Sequence, residues 1–467
     1  MKKTTNDKGG RKKNILLLCI VIILAGIAVA AVFLFLRRDE AEPLPDPVHL
    51  TYANQNMAGG NALEEQMIQA FMDEHPHIIV TVDHSIDQPW MVGISAAAAD
   101  NRLPDVFTVD DLGTMIANGW LLDLTAKART DLDFLVYLPR IIQEAVLINE
   151  HVYALPAALD ILGYFVNRDL FRELGLTPPE FGISADDFVE SVRNATDLSH
   201  PSIGLNHSLS FVDWYPGAVN PALSFFGFDA RDFALSSPEM LEAVRVAKDI
   251  HGGGYTFNSI PAELVRDYFP IGYDLGAFRY GQMAMYYGGA WMMDIMLNQV
   301  AFDWDFIGVP GGRSVATLDI LGVSANTAHP EEAYLLARWM GHGVEGNIHR
   351  IQHARAMGIT MSSFPISQNS YVLDNLWGMI TAPGFRAVYD SMERVLVDGA
   401  RVLPGYMQAR FSAPTGVDIP GTPHRNAAVG SLLTYSIWGN VYFPNHSEVA
   451  AEVMRQQIEA GRDMLTR

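Results

Sequence analysis

The sequence predicts an α/β fold preceded by a single transmembrane helix. From Val48 onward, short apolar strands alternate with helical stretches. This pattern is typical of a mostly parallel sheet with helices on both faces. Before that point, residues 14–36 contain no charged side chain. The 467 residues are enough for two or three domains.

The apolar run at 14–36 is long enough to cross a bilayer. A helix of 23 residues, at about 1.5 Å per residue, spans a hydrocarbon core of about 30 Å. Six Lys or Arg residues precede the run, and Arg37 and Arg38 follow it. The positive-inside bias then predicts a cytoplasmic segment at 1–13 and an ectodomain outside the cell membrane. Residues 37–47 are charged and proline-rich, which indicates a short stalk.

Two alternatives to this uncleaved anchor remain open. A cleaved signal peptide usually has a shorter apolar region, although Ala28-Val29-Ala30 resembles a cleavage site. A lipoprotein would need a small residue before its cysteine, whereas Leu18 precedes Cys19. Cys19 is the only cysteine in the chain, so the chain has no internal disulfide and no multi-cysteine metal site.

The first helix of the ectodomain has the clearest start signal. Asn61, with Glu64 three residues later, matches a capping box, and Pro76 ends the helix after His75. Other helices are predicted at Pro89–Asp100, Leu112–Asn118, Arg168–Leu174, Ala185–Thr196, Ser237–His251 and Pro330–Met340. Strands are predicted at Val48–Asn54, Ile78–Val82, Asp105–Val109, Ile161–Val166, Met283–Tyr287, Phe306–Val309 and Leu318–Ser324. After the predicted strand Met283–Tyr287, Gly288-Gly289 is predicted to form a turn before Trp291.

Charge and motif content exclude several functions. Residues 1–38 carry eight of the 32 basic and one of the 53 acidic residues, so the remainder has 24 basic and 52 acidic residues. Such an acidic surface repels nucleic acid. The sequence has no GxSxG, P-loop, HExxH or EF-hand motif. We therefore predict no enzymatic activity, no metal and no cofactor.

Five segments of the ectodomain carry sequence motifs that are more specific in combination than any one of them alone. They include YALP and YFVNRDLF, then GQMAMYYGGAW, then HPEEA. The segments lie at 51–80, 103–124, 153–176, 278–296 and 321–340, and cover about 290 residues from end to end. In this order they resemble the extracellular solute-binding proteins that feed ABC importers of sugars, a family that includes the maltodextrin-binding proteins.

The resemblance implies a two-lobe, periplasmic-binding-protein-like fold with a ligand cleft between the lobes. Lobe 1 is expected to hold residues 48–156 with 314–345, and lobe 2 residues 157–313 with 346–467. The lobes of such proteins hinge shut on their ligand. The extended segment at 156–160 is where the chain first crosses, so it is expected to line the cleft.

Polar residues after two strands of lobe 1 are ligand candidates, because such folds bind ligands at the carboxyl ends of strands. Asn54, Gln55 and Asn56 follow the first strand and offer three amides for sugar hydroxyls. They could equally form a solvent loop. Asp110 and Asp111 follow the third strand, where the family places a carboxylate. Asp111 could instead cap the next helix.

The crossing segments and lobe 2 supply the other polar and aromatic candidates. Asp160 lies four residues after Pro156, where sugar binders often place an acid. Trp291 follows the two glycines, where the family presents an aromatic ring to the cleft and where glycine lets the backbone approach a ligand. Asp319 and Gly322, on a crossing strand, are further candidates.

Three more aromatic residues of lobe 2 are candidates for the rim of the cleft. Trp214 and Tyr215 lie in a stretch that resembles a loop, and Tyr406 follows Pro404-Gly405. Each of these side chains could instead belong to the core of the lobe.

The sequence thus predicts a membrane-tethered binding protein that delivers a carbohydrate, or a similar polar solute, to ABC permease subunits. Two departures from the family leave other roles open: the lipobox is missing, and residues 410–445 look irregular. The alternatives are a tethered sensory protein of the same fold and a surface glycosidase built around Asp110 or Asp160.

Overall fold

A mixed β-sheet organises the chain in the computed structural model, which describes residues 46–55, 61–86, 88–269 and 271–466. From His49 onward the chain forms one compact unit. The predicted cytoplasmic segment, the anchor and most of the stalk lie outside the described residues, as does Asn56. Within the described ranges, no helix has both the length and the apolar character needed to span a bilayer.

Nine of the described strands form the main sheet, and two form a small hairpin. The order in the main sheet is β2-β1-β3-β10-β6-β8-β7, with β11 paired to β10 and β9 paired to β6; β4 and β5 make the hairpin. The strands are β1 (Val48–Ala53), β2 (Ile78–Val82), β3 (Val106–Val109), β4 (Leu147–Ile148), β5 (His151–Val152), β6 (Ala154–Asn167), β7 (Ile203–Leu205), β8 (Met283–Gly289), β9 (Trp304–Phe306), β10 (Val315–Val323) and β11 (Leu396–Val397).

Helices flank this sheet. Shorter 3-10 and π turns connect several of them. The α-helices are α1 (Ala62–Glu74), α2 (Trp90–Ala99), α3 (Leu112–Ala117), α4 (Thr125–Ala128), α5 (Arg140–Ala145), α6 (Arg168–Glu173), α7 (Ala185–Asn194), α8 (Phe211–Val219), α9 (Pro238–Gly252), α10 (Ala262–Tyr268), α11 (Asp274–Arg279), α12 (Met293–Asn298), α13 (Pro330–Met340), α14 (Val344–Met357), α15 (Ser370–Trp377), α16 (Pro383–Asp390), α17 (Val429–Ile437) and α18 (Ser447–Met464).

Two long strands, β6 and β10, pair antiparallel through the middle of the sheet. The expectation of a mostly parallel sheet is therefore wrong at its centre. The pairs β1–β3 and β7–β8 on either side are parallel. The chain leaves the first half of the sheet along β6 and returns along β10, so these two strands run in opposite directions.

Strand β6 is longer than the predicted Ile161–Val166 and includes Pro156. Proline is tolerated in a strand beside a bulge. Ile320 pairs with Pro156 and Asp319 pairs with Ala158, so the register shifts here and Ala157 lies between the two pairs. The irregularity accommodates the proline within a continuous strand.

Glycine positions account for two further differences. Gly288 and Gly289 continue β8 and pair with Gly163 and Leu162, so they form no turn. Strand β9 ends at Phe306, whereas the prediction extended to Val309. Gly308 has a φ of 61°, a left-handed conformation that interrupts the extended chain.

Two segments predicted to be irregular contain helices. Residues around Trp214 form α8, with Pro216 inside it, and the aromatic face of that helix is buried. The segment 410–445 includes α17, five residues of which are buried. In both segments tertiary packing stabilises a helix despite local proline or glycine.

Helix α14 packs against both α1 and α13. After it, the chain returns to β6, where Leu159 and Phe364 exchange backbone hydrogen bonds of 3.0 Å. Phe364 and Phe385 then contact each other at a ring distance of 4.8 Å, and Phe385 contacts Phe306 of β9 at 5.6 Å. The chain therefore makes a third passage across the middle of the sheet near residue 364.

Candidate ligand-binding site

A cavity of about 400 Å³ lies where β6 and β10 pair. The end of β1, the start of α1 and Thr108 of β3 form one wall. Trp291 and the segment Met361–Ser363 form the opposite wall. The cavity is therefore bordered by both halves of the sheet, with the paired strands as its floor.

The floor of the cavity carries two carboxylates, Asp160 and Asp319. Asp160 pairs with Thr317 across the two strands, and Asp319 lies two residues from Thr317, so the three side chains share one face of the sheet. Burial of its carboxylate raises the pKa of Asp160 to about 7, with a further increase from the charge of Asp319 and an opposing effect of Arg401. Asp160 is thus the side chain of the floor that titrates near neutral pH.

Arg401 neutralises Asp319 and contacts Asp110. Its Nη1 forms an ion pair with Asp319 and also donates to the Leu318 carbonyl oxygen at 3.0 Å. Its Nε lies 3.4 Å from Asp110 Oδ1. Asp110 is half-exposed and does not line the cavity. It contributes to the site through this arginine.

Asp111 caps helix α3. Its carboxylate accepts hydrogen bonds from Thr114 N at 2.9 Å and from Thr114 Oγ1 at 2.8 Å. The cap occupies both oxygens, and Asp111 does not line the cavity. The structure therefore supports the capping role that the sequence left open.

The start of α1 supplies the polar wall of the first half. Asn61 accepts a hydrogen bond from Glu64 N at 3.2 Å, which fixes the first turn of the helix at the cavity. Glu64 Oε2 accepts from Tyr52 Oη at 3.4 Å, and Tyr52 Oη in turn accepts from Asn54 Nδ2 at 3.0 Å. Burial raises the pKa of Tyr52, so its hydroxyl stays protonated. These side chains form one connected network.

Glu64 also pairs with Arg350 of α14. Both side chains are largely buried, and Arg350 Nη2 also donates to the Met340 carbonyl oxygen at 3.2 Å. Glu64 and Arg350 line the cavity, yet neither was among the candidates. The sequence identified Glu64 only as part of a helix cap. Its partner lies 286 residues away, so no local pattern joins the two.

Trp291 is the exposed aromatic residue of the cavity lining, whereas Tyr52 is buried. Trp291 lies in a 3-10 turn at Ala290–Met292, directly after β8, and its side chain is 52% exposed. A Cβ atom at Gly289 would overlap the Trp291 ring, and one at Gly288 would overlap the Met292 sulfur. These two side chains cover the glycines on the side where a Cβ atom would lie, and the approach of a ligand to the glycine backbone stays a prediction.

Three of the ten predicted ligand-binding residues line the cavity together: Asn54, Asp160 and Trp291. Gln55 is close by, with its backbone N–H donating to Thr108 Oγ1 at 3.4 Å. Asp319 lines the cavity as well, whereas Gly322 does not. A Cβ at Gly322 would overlap Leu121, so this glycine serves close packing.

The three aromatic candidates of the predicted rim lie in the core. Trp214 is completely buried and donates to Tyr164 Oη at 2.9 Å. Tyr215 is buried beside it, and Tyr406 is buried with its hydroxyl accepting from Arg410 Nη1 at 2.6 Å. Burial leaves no free ring face, so the expectation of a rim position is corrected for all three.

No group of three or more His, Cys, Asp and Glu side chains suited to a metal ion occurs among the residues that the structure describes. The chemistry available at the cavity is that of hydrogen-bond donors and acceptors, ion pairs and one exposed aromatic face. This combination can bind a polar molecule that also has an apolar surface.

Comparisons with known proteins agree with this geometry. The profile of a family described as bacterial extracellular solute-binding protein matches residues 66–349. A multiple sugar-binding protein of Streptococcus mutans is 24% identical over 322 residues, which cover 63% of this chain and 71% of that protein.

Solved structures share the fold. An ABC substrate-binding protein from Listeria monocytogenes, in complex with cycloalternan, has a TM-score of 0.63 at 19% identity, and the match covers 90% of this chain and 98% of that one. The cyclic alpha-maltosyl-1,6-maltose binding protein from Arthrobacter globiformis has a TM-score of 0.65 at 16% identity, covering 89% and 100%. The similarity shows the two-lobe α/β fold of periplasmic binding proteins.

Proposed function

Because the chain belongs to the bacterial extracellular solute-binding protein family, we propose that it captures a carbohydrate in the cavity between its lobes and delivers it to an ABC importer. The family is extracellular, so the ectodomain acts outside the cytoplasm. The apolar run at 14–36 tethers it to the cell membrane in this proposal.

The position of Trp291 beside the two floor carboxylates is the observation that carries the proposal. A sugar presents hydroxyl groups around its edge and C–H groups on its ring faces. The half-exposed indole can stack on a ring face. Asp160 and Asp319, on the floor of the same cavity, can accept hydrogen bonds from hydroxyls. Asn54 and Glu64 offer further polar groups on the opposite wall.

The lobes are proposed to meet at the middle of β6 and β10. Lobe 1 then contains 48–156 with 320–357, and lobe 2 contains 157–319 with 358–467. The second segment of lobe 1, expected at 314–345, is thereby moved to 320–357. Its start moves because residues 315–319 pair with the lobe 2 part of β6, and its end moves because α14 packs against α1. The register shift between Asp319 and Ile320 lies at the proposed hinge.

We infer that binding is not followed by a reaction. The family consists of binding proteins, and Asp110 and Asp111 are occupied by an ion pair and a helix cap. Product analysis after incubation with a panel of oligosaccharides tests this inference. Release of shorter sugars by the purified protein, abolished in Asp160→Asn, would contradict it.

Thermal denaturation with a panel of sugars tests capture. The panel should begin with α-linked glucose oligosaccharides, because the names of two similar proteins mention cycloalternan and cyclic alpha-maltosyl-1,6-maltose, and should include monosaccharides. A ligand at about 100 times its Kd should stabilise the protein by about 2.7 kcal/mol. Trp291→Ala should abolish this gain and Trp291→Phe should keep part of it.

Trp438 provides the matched control for this test. It is 46% exposed, close to the 52% of Trp291, but it does not line the cavity. Trp438→Ala should leave the ligand-induced stabilisation unchanged. If Trp291→Ala and Trp438→Ala behave alike, the proposed binding site is wrong. If no member of a broad panel binds, the proposed carbohydrate ligand is wrong.

A further inference from the structure

The floor of the cavity has more negative than positive groups. Among the described residues, Asp319 on the floor and Asp110 just outside the cavity both contact Arg401, and Asp160 on the floor is close enough to interact with the same guanidinium electrostatically. Three carboxylates thus share one cation. Glu64, on the wall, has its own partner in Arg350 and does not change this balance.

A second group with the same imbalance lies next to the floor. Asp213 forms an ion pair of 2.6 Å with Arg410, and Asp398 interacts with the same guanidinium. Asp398 Oδ2 accepts from Thr317 Oγ1 at 3.5 Å, and Thr317 pairs with Asp160 across the strands. The two groups therefore adjoin through one threonine, and together they hold five carboxylates and two guanidinium groups.

This imbalance differs from the general acidity of the ectodomain because these carboxylates are partly desolvated. Burial and the neighbouring Asp319 raise the pKa of Asp160, and burial and the neighbouring Asp213 raise the pKa of Asp398. Exposed carboxylates keep their hydration and repel one another weakly. A positive charge that enters the cavity stabilises the ionised carboxylates there, whereas a neutral solute only displaces their water.

Asp160 is the group best placed to receive that charge. Within the described chain, no hydrogen bond and no ion pair within 4.0 Å engages its carboxylate, although it lines the cavity. Asp319 and Asp110 already have Arg401. An ammonium group has three N–H donors and a compact charge, which suits a carboxylate with both oxygens unused.

We propose that the cavity prefers a cationic carbohydrate, an amino sugar or an oligomer of one, with its ammonium group against Asp160 and its ring against Trp291. This inference rests on the proposed function and names the class of its solute. The excess of acidic residues over the whole ectodomain adds a long-range attraction for such a solute.

Titration calorimetry with a matched series tests this inference. The full chain is kept in a detergent without sugar head groups and titrated at neutral pH with glucosamine, N-acetylglucosamine and glucose, and with their β-1,4-linked dimers. These ligands differ only at C2, where they carry an ammonium, an acetamide or a hydroxyl group. The amine should bind at least tenfold more tightly, about 1.4 kcal/mol.

Asp160→Asn should remove the preference for the amine, so that the amine and the neutral sugars bind this variant with affinities within about threefold of one another. The control Asp374→Asn removes an exposed carboxylate of α15 outside the cavity and should change neither affinity. If Asp160→Asn fails to fold, titrations of the wild-type protein at low and high salt replace it. The preference should shrink at high salt if charge causes it, and a preference that salt leaves unchanged overturns the inference.

The two proposals fail in different ways. Equal or tighter binding of the neutral sugars overturns the cationic class but supports carbohydrate capture. Binding of the amine that survives Asp160→Asn overturns the assignment to Asp160. Absence of binding for every sugar of the series and of the broader panel overturns both proposals.

Discussion

Asp160 and Asp111 are both carboxylates near the cavity, yet their surroundings give them different tasks. Asp111 uses both oxygens on Thr114 and stabilises the first turn of α3. Asp160 lies in the middle of β6, partly buried on the cavity floor, and its cross-strand partner Thr317 on β10 donates its hydrogen bond to Asp398 instead. The first carboxylate stabilises the fold, whereas the second costs stability because it is partly buried without a close partner in the described chain.

The raised pKa of Asp160 predicts how stability depends on pH. The pKa is about 7 in the folded protein and about 4 in an unfolded chain. Between these values the folded state holds a proton that the unfolded state has released. The contribution of Asp160 to stability is therefore present below about pH 4 and is lost as the pH rises through 7.

Asp160→Asn should accordingly stabilise the unliganded protein by about 4 kcal/mol at pH 8, where the full shift of about three pKa units counts at about 1.4 kcal/mol each, and by only about 1 kcal/mol at pH 5. Urea denaturation at the two pH values measures the difference. Asp374→Asn, at an exposed position, is the control and should not show this dependence. The prediction would be contradicted if the difference in the free energy of unfolding between the wild-type protein and Asp160→Asn were the same at both pH values.

Gly289 is predicted to control the orientation of Trp291. Gly289→Ala places a Cβ where the indole now lies, so the ring must leave the cavity wall. We expect ligand affinity to fall about as far as in Trp291→Ala, by tenfold or more if stacking is worth 1.4 kcal/mol. Gly252→Ala, where nothing lies within 4 Å of the added atom, is the matched control. Unchanged affinity in Gly289→Ala would show that the ring is free to move.

Single residues of the cavity were predictable from sequence only where they lie on a predicted strand or shortly after its end. Asn54 and Trp291 directly follow β1 and β8, and Asp160 lies on the strand that crosses the sheet. Arg350 has no such sequence signal, because only the packing of α14 on α1 brings it to the cavity. The buried Trp214 shows the reverse error, since an aromatic residue beside a proline looks like a rim residue until its hydrogen bond to Tyr164 is known.

At the scale of elements, one buried ion pair joins α1 to α14. Glu64 belongs to the first turn of α1, and Arg350 lies in the middle of α14. The same pair forms part of the cavity wall. The packing of these two helices and the shape of the site are therefore connected.

Breaking this pair should destabilise lobe 1. Arg350→Met leaves the Glu64 carboxylate buried without its cation, which costs about 3–5 kcal/mol. Chemical denaturation measures the loss. Arg455→Met is the matched control, because Arg455 pairs with Glu452 and Glu459 on the exposed face of α18 and should change stability by less than about 1 kcal/mol. Equal effects in the two variants would contradict the structural role of the pair.

The cap on α3 separates stability from binding. Asp111→Ala removes two hydrogen bonds at the start of the helix and should lower the free energy of unfolding by about 1 kcal/mol. Ligand affinity should stay within about twofold, since the side chain does not line the cavity. Ser184→Ala, which removes the cap of α7, should behave in the same way. A large loss of affinity in Asp111→Ala alone would return Asp111 to the ligand site.

Most elements were predictable because their boundaries carry local signals. Helix α13 matches its predicted bounds, with a proline and two glutamates in its first turn. Helix α8 was missed because Pro216 and Gly217 disfavour helix locally, whereas its buried aromatic face stabilises it. The full length of β6 was missed because the bulge that accommodates Pro156 depends on pairing with β10, which is distant in sequence.

At the scale of the molecule, the two halves share one continuous sheet. The strand order β1-β3-β10-β6-β8 links them through β10 and β6 alone, apart from the third passage near Phe364. The sequence predicted two lobes only through resemblance to a family. Its lobe boundaries were drawn without knowledge that α14 packs on α1. Hinging about these few segments is the motion that the topology favours.

Ligand binding is predicted to shorten the distance between the lobes. In a Cys19→Ser background, Gln66→Cys on α1 and Leu297→Cys on α12 place spin labels at exposed positions on elements beside opposite walls of the cavity. A saturating sugar should shift the distance distribution measured by double electron–electron resonance to shorter values, because a solute that contacts both walls favours the closed state.

The control for this measurement stays within one lobe. Gln66→Cys with Gln352→Cys labels α1 and α14, which pack together, so the distance between them should not change on binding. Trp291→Ala should leave the interlobe distribution close to its unliganded position even with sugar present, since the stacking contact made by lobe 2 is gone. If the wild-type protein binds sugar and the distance between the two spin labels does not decrease, the lobes are already fixed in one arrangement. The paired strands would then act as a rigid support rather than a hinge.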